Sequence, residues 1–190
     1  FERNAHQCGD RLHIQSHPVY RARLLVRYTS MPQKQGSPQQ VRTILKLFED
    51  SKGRIWVGTE NAGLNIYNKQ SGKFHRITHS NSDPASLSGN GILSVMEMPD
   101  GRILVATDVA GLNIIKLNNT FFEKNTAPVI TRLSLPGNTQ VYGMGKDKNG
   151  IIWIGGIDGS VYRFDPSKNG FIKLENGSLL NNGYLNRDGS

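Results

Sequence analysis

Residues 49–67, EDSKGRIWVGTENAGLNIY, contain the pattern from which the fold can be predicted. It recurs twice downstream in related form, and its glycine anchor Gly53 is matched by Gly101 and Gly150 at nearly equal spacing. When the copies are aligned on these glycines without gaps, four further columns agree: Ile44, Ile92 and Val141; Trp56, Leu104 and Trp153; Leu64, Leu112 and Val161; Phe74, Phe122 and Phe171. Agreement at a fixed spacing predicts a repeat architecture.

Each repeat contains four short apolar runs separated by turn-forming residues. In the first copy these runs are 43–48, 55–57, 64–67 and 74–77, and they are rich in Ile, Val, Tyr, Phe and Trp. They are bounded by Gly, Asn, Asp and Ser, and they are too short to be helices that bury an apolar stripe. Four strands per repeat predict an all-β fold, a β-propeller made of four-stranded antiparallel blades.

The repeat spacing predicts about three complete blades, at 41–88, 89–137 and 138–178, with partial blades at both ends. Residues 1–40 match the repeat poorly and are either a partial blade or an irregular basic segment. Residues 179–190 are expected to form the first strand of a further, truncated blade. The chain is then either a fragment of a longer propeller or a four-bladed ring closed by its two ends. In a fragment, exposed strand edges would be covered by further blades or by a second copy of the chain.

The turns and small residues of the repeat have specific expected roles. Asp50 and Asp147 begin tight hairpins, where an Asp side chain accepts hydrogen bonds from the backbone two residues on. The column Gly58, Ala106 and Gly155 is expected to let a neighbouring blade approach closely. The column that contains two tryptophans is expected to form the large apolar contact between adjacent blades.

Two of the three copies resemble the two-component regulator propeller repeat. The resemblance rests on residues 49–67 and on residues 147–165, which repeat the same motif words in the same order. Residues 82–88, SDPASLS, resemble the segment that joins blades in this family. The middle copy departs from the pattern at three positions: Met98 in place of Asp, Leu104 in place of Trp, and Ala106 in place of Gly.

The resemblance implies a setting and a function. Such repeats form the periplasmic sensor region of hybrid two-component proteins, often in gut Bacteroidetes, and many of them sense glycan fragments. The chain is therefore expected to be a periplasmic ligand-sensing or interaction segment that relays binding to a signalling module outside it. Its expected partners are a glycan or another small periplasmic ligand.

The composition gives no sign of a nucleic-acid or membrane partner. The net charge is +8, but residues 1–48 contain eight Lys and Arg against two acids, so the blades themselves are close to balanced. We therefore interpret the charge as a solvated basic rim and expect no nucleic acid to bind. A membrane-spanning helix needs roughly 20 consecutive apolar residues. The sequence contains no apolar run of such length, so no membrane span is predicted. The single cysteine, Cys8, excludes an internal disulfide.

No motif for catalysis, a cofactor or a metal emerges. The His/Cys group of His6, Cys8, His13 and His17 fits no zinc spacing, so no metal and no cofactor are expected. No nucleophile–base pairing is readable, and the chain is not expected to be an enzyme. One alternative is a propeller lyase or glycosidase that uses acids such as Asp108 and Asp158. Another is a purely structural scaffold whose surface docks another protein.

The expected ligand site lies on the loops that follow the second and fourth strands, which share one end of the blades. Long polar loops carry function more often than short turns. We expect Tyr142 to stack on a sugar ring and Arg42 to bind a carboxylate or sulfate. The candidate ligand-binding residues are Arg42, Glu60, Asn61, Asn90, Asp108, Gln140, Tyr142 and Asp158.

Overall fold

The computed structural model describes residues 43–174, except 70, 110, 125 and 169. These residues form twelve strands: β1 Ile44–Glu49, β2 Ile55–Thr59, β3 Leu64–Asn68, β4 Lys73–Ile77, β5 Ile92–Glu97, β6 Ile103–Thr107, β7 Leu112–Lys116, β8 Val129–Leu133, β9 Val141–Lys146, β10 Ile152–Gly156, β11 Val161–Asp165 and β12 Gly170–Lys173. One helical turn, α1 (Phe121–Lys124), and one 3₁₀ turn, Pro136–Asn138, complete the regular structure of this part of the chain. None of its helices is long and apolar enough to cross a membrane.

The strands form three separate four-stranded sheets, each in simple chain order. Blade 1 is β1-β2-β3-β4, blade 2 is β5-β6-β7-β8 and blade 3 is β9-β10-β11-β12. All pairings within them are antiparallel. The predicted all-β propeller architecture is therefore confirmed. The partial blades expected at 1–40 and 179–190 lie outside the described residues.

Blade 2 differs from its neighbours because an excursion separates its third and fourth strands. This β7–β8 excursion, residues 117–128, contains α1, and it makes the fourth strand begin later in the repeat than β4 or β12 does. The ungapped alignment was therefore wrong in its phenylalanine column. Phe74 and Phe171 lie on fourth strands, where they contact Tyr67 and Phe164 at ring-centroid distances of 5.0 and 4.8 Å. Phe122 lies in α1 instead.

Blades 1 and 2 pack face to face through apolar side chains. The face of each blade that meets the next blade in the chain is called its trailing face. On the trailing face of blade 1, Trp56 is fully buried within a cluster that includes Leu64 and Ile66 together with Val95 and Val105 of blade 2. Each Leu, Ile or Val buried there contributes about 1.5–3 kcal/mol. The expected role of Trp56 as an inter-blade contact is confirmed.

The close approach of blades 1 and 2 depends on Gly58. A Cβ at this position would lie 2.7 Å from Cγ2 of Ile92, the first residue of β5. Real Cβ atoms do not tolerate such a distance, so the glycine is required by packing rather than by backbone conformation. At the next junction Leu104 and Ala106 are buried against Val141, Ile152 and related residues of blade 3.

The trailing face of blade 3 has no blade against it among the described residues. Trp153 is half-buried here, in contrast to Trp56, and Tyr142 is 73% exposed. Trp153, Tyr142 and the glycines of β9 line an open, largely apolar cavity of about 340 Å³. A Cβ placed on Gly143 or Gly145 would meet no atom within 4 Å. The surface that the repeat pattern assigns to an inter-blade contact is thus not covered in blade 3 by any blade of the described residues.

The hairpin aspartates pair with the tryptophans. Oδ1 of the buried Asp50 accepts hydrogen bonds from the backbone N–H groups of Lys52 (3.0 Å) and Arg54 (2.9 Å). Its Oδ2 accepts one from Nε1 of Trp56 at 2.7 Å and one from Nε of Arg54. The Asp side chain therefore binds both the turn and the core tryptophan, so its turn-forming role is confirmed.

The same pairing occurs in blade 3 and is absent from blade 2. Asp147 accepts from Nε1 of Trp153 at 3.2 Å and from two backbone N–H groups of its turn. Burial acts to raise the pKa of Asp147, but the hydrogen bonds from Trp153 and the backbone outweigh it and hold the pKa below its ordinary value. In blade 2 both partners are replaced together, by the buried Met98 and Leu104.

Candidate functional site

The connections of the three blades lie at two ends. The hairpin end contains the β1–β2 and β3–β4 turns and their counterparts, including the β7–β8 excursion. The opposite end, called the loop face, contains the loops after the second and fourth strands. Alternation of antiparallel strands places these loops together, as expected from the sequence. All the candidate ligand-binding residues that the structure describes lie in or next to these loops.

Backbone hydrogen bonds tie the loop face across each blade junction. The N–H of Gly63, in the loop after β2, donates to the carbonyl of Asn90 at 3.0 Å. One blade later the N–H of Gly111 donates to the carbonyl of Thr139 at 3.3 Å. Both acceptors lie just before the first strand of the following blade. We call these two contacts the inter-blade latches.

Asp108 and Gln140 belong to the junction between blades 2 and 3. Oδ1 of Asp108 accepts from the N–H of Gly91 at 3.1 Å, and the N–H of Asp108 donates to the carbonyl of Gly91 at 2.7 Å. Nε2 of Gln140 donates to the backbone carbonyl of Asp108 at 2.7 Å. The structure therefore brings these two predicted residues into contact, and it gives each a structural hydrogen bond.

Gly91 has no room for a side chain where the loop after β2 of blade 1 meets the entry to blade 2. A Cβ on this residue would lie 2.7 Å from the carboxyl carbon of Asp108 and 2.8 Å from the carbonyl oxygen of Glu60. Glu60 follows β2 of blade 1, so its backbone is pressed against the start of blade 2. The loop after β2 and the entry to β5 consequently cannot move independently.

Among the remaining predicted residues, some side chains are hydrogen-bonded within the described part of the chain and others are not. Oδ1 of Asn90 accepts from the N–H of His79 at 2.9 Å and so fixes the linker between blades 1 and 2. Glu60 and Asn61 are exposed, and neither side chain has a polar partner within the described part of the chain. Tyr142 lies at the edge of the open trailing face of blade 3. Arg42 lies outside the described residues.

Asp158 is held in its own turn. Its Oδ1 accepts a hydrogen bond from the Ser160 hydroxyl and another from the N–H of Ser160 at 3.0 Å. These hydrogen bonds hold the pKa of the Asp158 carboxyl below its ordinary value. The side chain is therefore ionised at neutral pH, a state suited to accepting hydrogen bonds and unsuited to a general acid.

Arg132 is a loop-face residue that the sequence did not indicate. It lies on β8, and its Nε donates to the carbonyl of Ser86 at 3.0 Å while one terminal nitrogen donates to the carbonyl of Leu87 at 2.9 Å. Asn113 fixes the same linker, since its Oδ1 accepts from the N–H of Ser88 at 2.9 Å. The sequence did contain a signal for the linker contact of Asn113, because asparagine recurs at the same position of two repeats, as Asn65 and Asn113. Both side chains are buried in the structure.

The described residues contain no group of three or more His, Cys, Asp or Glu side chains placed to bind a metal ion. The loose group around His6 and Cys8 lies outside them. The loop face is thus a set of exposed carboxylate and amide side chains on loops that are hydrogen-bonded to the adjacent blade. Such an arrangement is chemically suited to hydrogen bonding with a polar ligand.

The sequence matches the family model described as Two component regulator propeller over residues 38–61 and 134–158. These segments include the turn and second strand of blade 1 and the first two strands of blade 3. Two segments of the chain are therefore similar to two-component regulator propeller repeats, and the resemblance inferred from their motifs is confirmed. A comparison with curated proteins gave no significant match.

Several solved structures are similar to this chain. One is the extracellular domain of a putative hybrid two component system from B. thetaiotaomicron, with 20% identity and a TM-score of 0.43, over 74% of this chain and 25% of that one. Virginiamycin B lyase from Staphylococcus aureus has 19% identity and a TM-score of 0.52, over 72% and 42%. An auxiliary nutrient binding protein from Bacteroides thetaiotaomicron has 15% identity and a TM-score of 0.53, over 70% and 30%. The last two likenesses show the fold alone, and this chain spans less than half the length of each protein.

Proposed function

We propose that this chain is a ligand-sensing segment of the periplasmic, extracytoplasmic part of a two-component sensor. In this proposal it binds a glycan fragment at the loop face and relays binding to a signalling module outside the chain. The family-model match supports the class of protein. The proposal assigns binding and relay to the chain and no reaction of its own.

One observation carries the proposal: the exposed side chains of the loop face belong to the loops that hold adjacent blades together. Glu60 and Asn61 precede Gly63, whose N–H forms the latch to Asn90. Asp108 precedes Gly111, whose N–H forms the second latch. A ligand that contacts these side chains touches the elements that set the blade-to-blade geometry. Binding at such a position is able to bias that geometry, as relay requires.

The chemistry of the loop face supports a hydroxylated ligand. Carboxylates and primary amides, such as those of Glu60 and Asn61, accept and donate hydrogen bonds to hydroxyl groups. Both are exposed and unpaired within the described residues, so binding does not first require an internal hydrogen bond to break. The predicted roles of Arg42 and Tyr142 remain part of this proposal.

Binding is tested by a thermal-shift screen of neutral and acidic oligosaccharides on the whole chain. The variant Glu60→Ala/Asn61→Ala should lose the shift given by a hit. Asn149→Ala is the matched control, because Asn149 is an exposed amide in the turn between β9 and β10, at the hairpin end and away from the loop face. If the double variant binds as well as the parent chain, the loop face is not the ligand site.

Relay is tested separately by hydrogen exchange at the latch amides. Ligand binding should change the exchange rates of the Gly63 and Gly111 N–H groups relative to amides in the centre of β6. A ligand that binds at saturating concentration and leaves both rates unchanged would count against relay through these junctions. A protein-docking scaffold would give no oligosaccharide shift at all.

We also propose that the open trailing face of blade 3 is covered by a further blade or by a second copy of the chain. Its apolar cavity and the half-buried Trp153 occupy the position that blade 2 covers on blade 1. Light scattering measures the mass of the chain in solution and so distinguishes these two coverings. A dimer that Tyr142→Asp converts to a monomer supports the second copy. A monomer unaffected by this change supports instead the four-bladed ring, in which the two ends of the chain supply the covering blade.

A further inference from the structure

We propose a second binding site, for a sugar that carries a carboxylate or sulfate group, at the hairpin end of blades 1 and 2. The site is a cavity of about 620 Å³ between the turns of blade 1 and the β7–β8 excursion of blade 2. Its volume is within the range of small-molecule sites in proteins. It lies at the opposite end of the blades from the loop face, and a different set of residues forms it.

One wall of the cavity exists because blade 2 carries the excursion. The other two blades join their third and fourth strands by short turns, whereas β7 and β8 are separated by residues 117–128. Phe121 anchors this segment in the core between the blades, and its ring lies 5.4 Å from that of His75 on β4. The segment is thereby held over blade 1, where Asn119, Phe122 and Glu123 line the cavity.

The opposite wall supplies cationic side chains. Lys52, Arg54 and Lys69 line the cavity, and Glu123 is the one carboxylate among the described residues of its lining. Arg54 is paired with the buried Asp50, and Lys69 is paired with Glu49 at 2.9 Å. Lys52 is exposed and has no side-chain partner within the part of the chain that is described. Lys52 is therefore the cation available to an incoming oxyanion, because carboxylates already hold the other two.

The rest of the lining is suited to a sugar ring more than to a bare anion. Phe122 is half-buried, and its ring offers an apolar surface to the C–H face of a pyranose. Asn119 is exposed and has no hydrogen-bond partner among the described residues, so its amide can both donate to and accept from hydroxyl groups. Ser71 adds a hydroxyl on the blade 1 side. A ligand that combines an oxyanion with a hydroxylated ring uses all of these groups.

The test is ligand-observed NMR on the whole chain with four probes: glucuronic acid, glucose 6-sulfate, glucose and inorganic sulfate. The two acidic sugars should bind more tightly than glucose or sulfate, and binding should weaken as salt is raised, because the lysine contact is exposed. Binding of only one acidic sugar identifies carboxylate or sulfate as the preferred group. Lys52→Ala should weaken binding about five- to tenfold, and Asn119→Ala should also weaken it.

Matched controls separate this site from a general charge effect and from the loop face. Lys148→Ala removes an exposed lysine from the equivalent hairpin of blade 3 and should leave binding unchanged. Equal loss in Lys148→Ala and Lys52→Ala, binding of sulfate as tightly as the acidic sugars, or no binding at all would each overturn the proposal. Loss only in Glu60→Ala/Asn61→Ala would overturn it while supporting the proposed function of the loop face.

Discussion

The hydrogen bond between Asp50 and Trp56 should appear as a measurable coupling free energy. The perturbation is a double-mutant cycle of Asp50→Met and Trp56→Leu, which reproduces in blade 1 the pair that blade 2 carries as Met98 and Leu104. Both side chains are buried, and the bond between them is 2.7 Å long. Such a cycle isolates the pairwise contribution from the separate effects of each replacement.

The expected magnitudes follow from the contacts. Trp56→Leu leaves a cavity and should lower the free energy of unfolding by about 2–4 kcal/mol. Asp50→Met leaves the indole N–H buried without an acceptor, at about 1–3 kcal/mol, and also frees the two backbone N–H groups of the turn. In the double variant no indole N–H remains to be satisfied. Its destabilisation should therefore be smaller than the sum of the single effects by about 2 kcal/mol, the range of a hydrogen bond to a charged group.

Urea unfolding followed by circular dichroism measures the four free energies without relying on tryptophan emission. The cycle of Asp147→Met and Trp153→Leu is the internal comparison, because Trp153 is half-buried and its bond is 3.2 Å long. Its coupling should be below about 1 kcal/mol. Additivity within about 0.5 kcal/mol at the Asp50–Trp56 pair, or equal coupling at the two pairs, would show that the buried hydrogen bond does not stabilise blade 1.

Three further outcomes are expected. Gly91→Ala should lower the free energy of unfolding by about 1–3 kcal/mol, because the new Cβ would meet Asp108 and Glu60. Gly145→Ala should not lower it, because no atom lies near the position of the new Cβ. Equal effects of the two variants in urea unfolding would contradict this. Because the pKa of Asp147 is lowered in the folded state, its contribution to stability is fully present above about pH 4 and is lost as the pH falls through the lower folded value. In urea unfolding, the stability of Asp147→Asn should therefore fall less than that of the parent chain as the pH is lowered below about 4. Arg132→Ala should lower the free energy of unfolding by about 1–3 kcal/mol and should speed hydrogen exchange in the linker that Arg132 binds. An unchanged exchange rate at Ser86 would show that other groups hold the linker.

The sequence was sufficient to predict the blades because their determinants are local and repeated. Asp50 and Trp56 are close in the sequence and recur as Asp147 and Trp153, and the small residue at Gly58 recurs as Ala106 and Gly155. The excursion in blade 2 was missed because Phe122 falls by coincidence in the phenylalanine column of an ungapped alignment. A coincidence of this kind can be detected only from strand pairing, which places Ile130 opposite Ile115.

The loop-face residues were predicted to share one end, and antiparallel strand order was enough for that. Their hydrogen bonds were not predictable, because each partner comes from a segment distant in the sequence. Gln140 reaches the carbonyl of Asp108, and Arg132 on the last strand of blade 2 reaches back to Ser86, in the linker that precedes the blade. Such contacts depend on how the segments pack in three dimensions, which no spacing in the sequence encodes.

Because of the excursion of blade 2, the three repeats are not interchangeable when genes duplicate or recombine. Its anchor, Phe121, is buried through contacts with His75 and other side chains of blade 1, so blades 1 and 2 are matched to each other beyond the shared repeat pattern. A duplication or recombination event that inserted a repeat between them would leave this phenylalanine facing a blade without its partner. Engineered propellers that borrow these repeats should accordingly transfer 43–133 as one block.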